Sequence, residues 1–555
     1  MQTMRTLDFV TIILFTLGIL LSGVLFSKSG RNVRNFFSAG GAVPWPMAGL
    51  SLFMGFFSAG TFVVWGSIAY SSGWVAVTIQ WTMCLAGLLV GLFIAGKWRK
   101  TGALTAAEYI STRLGVSTQK TYTILFLAVS LFTAGSFLYP VGKILEVSTG
   151  LPLSACIILI GFISILYVTA GGLRAVVVTD VLQFVILFAA VLIVIPLAFQ
   201  RVDGIRNWIS AAPEAFFRPV DSVYTWGFMI AYCLYNAVFI GGNWAYVQRY
   251  TSVKDPSSAR KVGLLFAGLY VVCPVLWMLP PMIFRIVNPS LEGIGDEGAY
   301  LMMCKEVLPA GLLGLMIGGM IFATASSLNA TLNISSAVFT NDVFKRLRPS
   351  ASEKGLMKVA RVSTVVFGLL SVGVALLIPS FGGVVNVVIS IGALTGVPLY
   401  LPVIWSLFSR KQTGKSVLAV TLGSLAVNLF FKFVSPSLLG IALTRSQEMI
   451  LGVGFPILCL AMYEIFAPGA GKVEAVAGET RETTGPGPQD VSDNAFSIRV
   501  VGAGIVLSGL VIGILGMLSA SGRIAVGIVS LIMILAGAGI FAAGRKMTKK
   551  YVGRN

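Results

Sequence analysis

Fifteen apolar runs divide this chain, and little between them is long enough to fold alone. They fall near residues 7–27, 44–70, 73–97, 120–145, 151–172, 176–199, 223–248, 261–284, 308–344, 359–378, 383–407, 416–434, 447–466, 498–518 and 523–543. A helix that crosses a bilayer needs about 20 mostly apolar residues. In hydrocarbon every backbone N–H and C=O must be satisfied inside the protein, so runs of this length become helices. The ninth run is too long for one crossing and begins in an external loop. The expectation is an all-α polytopic membrane protein of about 15 spans. Charge agrees, since only 11% of the 555 residues are charged, against about a quarter in soluble proteins.

The net charge of +19 could suggest nucleic acid, but the basic residues form no aromatic-interleaved patch and no nucleic-acid partner is expected. They are sorted between loops instead. With the N-terminus outside, 29 of the 40 Lys and Arg lie inside and 9 outside. The inner group includes Lys28, Arg31, Arg34, Lys97, Arg99, Lys100, Lys345, Arg346, Arg348, Lys549 and Lys550. That bias orients a multi-pass protein of the plasma (inner) membrane with its C-terminus in the cytoplasm. One Arg and no small-residue cleavage site accompany the first run, which reads as a retained helix rather than a signal peptide.

The division that follows is 1–43, an N-terminal helix and loop; 44–199 and 200–410, two five-helix blocks; and 411–466, accessory helices. Residues 467–497, rich in Pro, Gly, Glu and Asp, read as a flexible cytoplasmic linker. Residues 498–555 hold two last helices and a basic tail. The chain contains no His, which removes the commonest general base and metal ligand. Its six cysteines lie mostly in apolar runs with no CxxC, as packing residues do. No nucleophile–base pair or metal cluster is present. An enzyme, an organic cofactor and an obligate protein partner are not expected; the partners are a small-molecule solute and the lipid bilayer.

Two runs look interrupted. The second contains Gly49, Gly55, Ser58, Ala59 and Gly60, and the seventh contains Gly241-Gly242-Asn243. Glycines also serve close helix packing. Their matching places, each opening one of two successive five-helix blocks, favour an inverted repeat around a midplane site. In the ninth run Ala323, Ser326, Ser327 and Ala330 share one helical face. Hydroxyls and freed carbonyls are hard oxygen ligands for a small cation; the same face also suits hydrogen bonds to a neighbouring helix. Carbonyls around Met54 and Phe57 would face the serine pair and close a sodium site. Asp180, in Thr179-Asp180-Val181-Leu182-Gln183, is an acid inside a span, which marks either a functional group or an interfacial salt bridge.

Four motifs then carry a resemblance. They are Phe36-Phe37-Ser38-Ala39-Gly40-Gly41 with Pro44-Trp45; Trp98-Arg99-Lys100-Thr101-Gly102 with Thr105, Glu108 and Arg113, in a cytoplasmic loop; Tyr167, Gly171-Gly172-Leu173, Ala175-Val176, Thr179-Asp180 and Gln183; and Ala323, Ser326-Ser327-Leu328, Asn333 and Phe339-Thr340-Asn341-Asp342. Gln248-Arg249 also fits. The chain resembles the sodium/solute symporter family, which includes sodium-driven glucose, galactose, proline and sialic acid transporters. The resemblance implies a LeuT-like 5+5 inverted repeat with one extra N-terminal helix and several C-terminal ones. It implies co-transported Na+ held by the carbonyls of Met54, Phe57 and Ala323 and the hydroxyls of Ser326 and Ser327.

Some members hold another sodium at the Asp that matches Asp180. Here Asn329 and Ala330 stand where they carry hydroxyls, so the second ion site would rest on Asp180 and Asn329. In the pocket, Gln80 and Asn236 occupy sugar-binding positions with plausible chemistry. Thr61 and Tyr270 replace a Gln and a Lys, Phe239 replaces a Tyr gate, and Trp81 adds an aromatic face. Thr133 stands near the Arg that holds sialic acid, which argues against that solute. The implied activity is sodium-coupled symport of a small neutral or zwitterionic solute by alternating access. The rival readings are a proton-coupled transporter on the same fold and a solute-binding membrane sensor.

Overall fold

The computed structural model describes residues 4–26, 43–103, 105–167, 173–467, 488–519 and 522–552, and their regular structure is helical. Among the described residues ten helices are long and apolar enough to cross a membrane, and five shorter apolar helices accompany them. Together they correspond one to one with the apolar runs. Helix α1 is Thr6–Phe26. The second run forms two pieces, α2 (Trp45–Met54) and α3 (Gly66–Ser72), separated by residues 55–60 and a π-helical turn at Thr61–Trp65. Helices α4 (Val75–Lys100), α5 (Val116–Thr149), α6 (Leu153–Tyr167) and α7 (Leu173–Arg201) complete the first block.

The seventh run also breaks, into α8 (Trp226–Gly242) and α9 (Trp244–Thr251). Helices α10 (Pro256–Val287), α11 (Leu312–Val338), α12 (Glu353–Leu377) and α13 (Val384–Ser406) complete the second block. Helices α14 (Gly414–Leu438), α15 (Arg445–Phe466), α16 (Pro488–Leu518) and α17 (Arg523–Val552) follow. Residues 308–310 precede α11 as a loop, ended by Gly311 at φ 86°. Helix α16 starts ten residues before the boundary read from composition, so helix replaces the last third of the expected linker; residues 468–487 lie outside the described ones. The Phe36–Gly41 motif and Gly171-Gly172 lie outside them too.

The two blocks interleave into two packed groups. Helix α10 packs on α2 and α4, and α4 on α8, while α5, α6, α11 and α12 pack on one another. Helix α7 touches α2, α10 and α11, and so bridges the groups. Glycine sets the closest approach in the first group, where Gly91 of α4 meets Gly263 of α10 backbone to backbone.

An acid that sequence reasoning passed over fastens α1 to α11. The buried Asp8 carboxylate accepts the N–H groups of Gly311 (2.6 Å) and Gly314 (3.0 Å), at the start of α11. Those donors have no intrahelical partner, and the positive end of the helix dipole favours the carboxylate. A Cβ on Gly314 would lie 2.2 Å from the Asp8 carbonyl, so glycine permits the contact. Asp8→Ala leaves two buried donors unmet, at a cost of about 1–3 kcal/mol each. Thermal unfolding of the purified variant is expected to shift down by several degrees; an unchanged melting temperature would mean that the cap contributes nothing.

Candidate functional site

The break between α2 and α3 is built from short-range hydroxyl bonds. Thr61 donates to the Phe56 carbonyl (2.7 Å) and accepts from the Ser58 N–H (3.2 Å), while the Gly60 N–H reaches Ser58 Oγ (3.2 Å). The Ala59 N–H crosses to Thr324 Oγ1 on α11 (2.8 Å), and Thr324 donates to its own helix at the Met320 carbonyl. Gly55 lets α9 approach, since a Cβ there would lie 2.9 Å from the Tyr246 ring, whose hydroxyl donates to the Gly55 carbonyl (3.4 Å). Among the described residues the carbonyls of Met54 and Phe57 accept no hydrogen bond, although both residues are buried. Buried acceptors nearly always have a partner. Two bare carbonyls at the negative end of a helix are suited to a cation.

The Ala59–Thr324 bond sets this break against the turn of α11 that carries Ala323 and Ser327. Ala323 is buried, and its carbonyl accepts the Ser327 hydroxyl at 3.5 Å, too long to hold that hydroxyl firmly. The side chains of Ser326, Asn329 and Ala330 lie outside the described residues. Thr324 was missed. Its signal was a hydroxyl stripe, Thr324, Ser327 and Thr331, at helical spacing beside the serine pair.

Asp180 is buried on α7 and accepts a 2.6 Å hydrogen bond from Ser51 of α2. It also interacts electrostatically with Arg249 of α9. Ser51 was not singled out in the sequence.

The second break hinges on Asn243, whose extended backbone ends α8 and whose side chain caps α9 at the Ala245 N–H (3.0 Å). The freed carbonyls find donors in Trp98, whose indole N–H reaches the Gly241 carbonyl (2.7 Å), and Tyr250, whose hydroxyl reaches Ile240 (3.2 Å). Trp98 is therefore no loop residue. Helix α4 runs to Lys100 and buries it, because carbonyls released by a break in a dry interior need a partner.

The expected pocket residues divide. Thr61 is committed to the break. Phe239 stacks on Tyr235 (5.5 Å between ring centroids) and meets Phe56 edge-on (6.1 Å); Tyr270 lies against Phe53 (5.1 Å) and Phe266 (4.7 Å). Phe56 and Phe266 touch each other, so these rings form one continuous aromatic wall. Asn236 donates to Thr82 of α4 (2.9 Å). Gln80 and Tyr270 are both buried. Trp81 does not join them. It is 36% exposed on the outer face of α4, with its indole N–H on the Val271 carbonyl (3.0 Å), because one residue of helical rotation carries it away from Gln80.

At the end opposite the basic loops, the segment from residue 293 to 307 covers α3. Ser67 donates to Asp296 (2.5 Å), and Glu297 accepts Tyr139 (2.8 Å) and the Val384 N–H (2.9 Å). Burial pushes the Asp296 carboxyl up to about 6, against the Ser67 bond and the charges of Lys143 and Arg285. Burial raises Glu297 as well. A raised carboxyl holds its proton in the covered state and releases it when uncovered. Closure of this segment is therefore most favourable in acid and weakens as pH rises from about 4 to about 6. Amide exchange across 293–307, corrected for intrinsic rates, is expected to show protection falling through that window, with the step reduced in Asp296→Asn. A flat profile in the parent would contradict the assignment.

The sequence profile of the Sodium:solute symporter family matches residues 36–423. This chain belongs to that family. Among its curated relatives, the Sodium/glucose cotransporter of Vibrio parahaemolyticus is 25% identical over 86% of this chain and 92% of its own. The Sodium/sialic acid symporter SiaT of Proteus mirabilis is 28% identical over 63% of this chain and 74% of its own. Among solved structures, a substrate-bound, outward-open Na+-coupled sialic acid symporter superposes with a TM-score of 0.70 at 24% identity, covering 84% of this chain and 99% of that one. The symporter therefore has the LeuT-like fold, is a multi-pass membrane protein and is coupled to sodium. Its relatives are cotransporters, not enzymes.

Proposed function

We propose that the symporter carries a small neutral or zwitterionic polar solute with Na+ by alternating access. The observation behind the reading is the pair of bare carbonyls, Met54 and Phe57, held against the α11 turn of Ala323 and Ser327. On this reading Ser326 completes a five-oxygen shell around one sodium ion. Sodium ties α2 to α11 across the two helix groups and favours the outward state by its differential affinity. The membrane potential adds about 2.3 kcal/mol per charge per 100 mV, and rocking of one group on the other releases both cargoes. Ala330 brings no side-chain oxygen, which leaves the second ion site, Asp180 with Asn329, incomplete.

The solute class follows from Gln80, Asn236 and Tyr270 beside the wall of Phe56, Phe239 and Phe266. Amides and a hydroxyl serve hydroxyl groups or a zwitterion, and aromatic faces cover apolar edges. Thr133 spends its hydroxyl on the Val129 carbonyl of its own helix (3.0 Å) and offers no cation to a carboxylate. Equilibrium binding of neutral polyols, sugars, zwitterions and dianions to the purified protein tests this, with tightening in sodium expected for one of the first three classes; sodium-dependent binding of dianions alone would overturn it.

The orientation is N-terminus out and C-terminus in, from the excess of Lys and Arg on one side. A reporter fused after Asn555 is expected to be cytoplasmic. A periplasmic signal would reverse every loop.

A further inference from the structure

The two broken helices differ from the other spans in being divided into two helical pieces each. On the orientation above, α2 and α9 are the cytoplasmic halves. One carboxylate on the unbroken α7 is bonded by the first and feels the charge of the second. Ser51 of α2 donates to Asp180 at 2.6 Å, and Arg249 of α9 interacts with the same group electrostatically. All three residues are buried. Among the described residues Arg249 otherwise donates to the Ala245 carbonyl (2.9 Å) and Gln248 Oε1 (3.4 Å). Among the described residues its Nε is buried without a hydrogen-bond partner, as is Gln183 Oε1, one turn beyond Asp180 on α7. A purely structural ion pair would satisfy such groups, because a buried charge is tolerated only when fully hydrogen-bonded. A seam that opens to water needs polar groups that the closed state leaves idle.

We propose that Asp180 is the latch of the cytoplasmic gate, holding α2 through the Ser51 hydrogen bond and attracting Arg249 of α9 by its charge, and that loss of that bond and that attraction opens the inward path. The inference rests on the alternating-access reading. It assigns to Ser51 a positioning role that nothing in its own chemistry announces, since one hydroxyl decides whether the inner half of the first broken helix is fastened to α7.

The test is access to the seam between α2 and α7, where Phe184 meets Phe53 edge-on at 5.5 Å. Phe184→Cys is introduced into the full chain. Its labelling by a membrane-impermeant maleimide is measured in inside-out vesicles, against the baseline of the six native cysteines. Loss of a hydrogen bond to a charged group corresponds to about tenfold or more in the opening equilibrium. Ser51→Ala is expected to accelerate labelling by about that factor, and Ser51→Thr, which keeps the donor, to restore the parent rate. Asp180→Asn keeps an acceptor for Ser51 but loses the charge facing Arg249, and is expected to accelerate labelling too. Parent rates in both Ser51→Ala and Asp180→Asn would overturn the latch, as would equal acceleration in right-side-out vesicles. No solute is needed for the readout, so a failure to find sodium-driven uptake would strike the proposed function and not this result.

Discussion

Replacing Ser326 and Ser327 together with Ala is expected to weaken sodium binding at least roughly tenfold while leaving the symporter folded. Each hydroxyl is worth on the order of 1 kcal/mol as an oxygen ligand, and a loss of about 1.4 kcal/mol is tenfold in affinity. Serine to alanine changes volume and helix propensity little, and no charge loses a partner. The bare Met54 and Phe57 carbonyls stay in place, because the break is held by Thr61 and by Thr324, which the variant retains. If the serines only joined helices, the opposite would follow: an intact sodium response with lower thermal stability. Sodium-dependent shifts in melting temperature separate the two. A double variant that melts like the parent at every sodium concentration would remove the ion from this place.

The second large effect is steric. Gly263→Leu is expected to abolish recovery of folded protein. A Cβ on Gly263 would lie 2.6 Å from Gly91 Cα and 2.8 Å from its N, and one on Gly91 would lie 2.9 Å from the Leu264 N. Backbone cannot rotate aside as a flexible side chain can, so α4 and α10 must separate. Overpacking of this kind costs about 1–3 kcal/mol and more when backbone is the obstacle. Gly263→Ala is expected to survive with a clearly lower melting temperature. Gly268→Ala, also in α10, meets nothing within 4 Å and should be neutral or slightly stabilising. Size-exclusion profiles and melting curves of the three variants check the ranking. A monodisperse Gly263→Leu with the parent's melting temperature would show that these helices are not packed as described.

Much of the architecture was legible because lipid leaves few choices. Long apolar runs can only be helices there, and glycines with Asn243 mark where two of them break. What the sequence hid were single polar residues whose partners lie far along the chain. Ser51 meets Asp180 across 129 residues, the Ala59 N–H meets Thr324 across 265, and Asp8 meets Gly311 across 303. A lone serine or acid carries no pattern that names its partner. Trp98 was misplaced for the same reason: its role is to satisfy a carbonyl released by a break 143 residues away. Trp81 was misplaced because adjacency in sequence says nothing about rotation on a helix, and the residue beside the buried Gln80 faces outward. The membership of the two helix groups lay beyond the sequence too, since it alternates along the chain and only packing separates α2, α4, α8 and α10 from α5, α6, α11 and α12.

The coupling itself is the central claim, and counterflow uptake in proteoliposomes tests it most directly. Vesicles holding the purified symporter are offered a panel of labelled sugars, polyols, amino acids and quaternary zwitterions, with an inward gradient of Na+ or of K+, and with or without an imposed proton gradient. The account predicts that one class of neutral or zwitterionic solute accumulates only when sodium is present. Accumulation should rise with an inside-negative potential and, in the Ser326→Ala, Ser327→Ala protein, require at least roughly tenfold more sodium. Accumulation driven by the proton gradient in sodium-free buffer, undiminished in that variant, would contradict it.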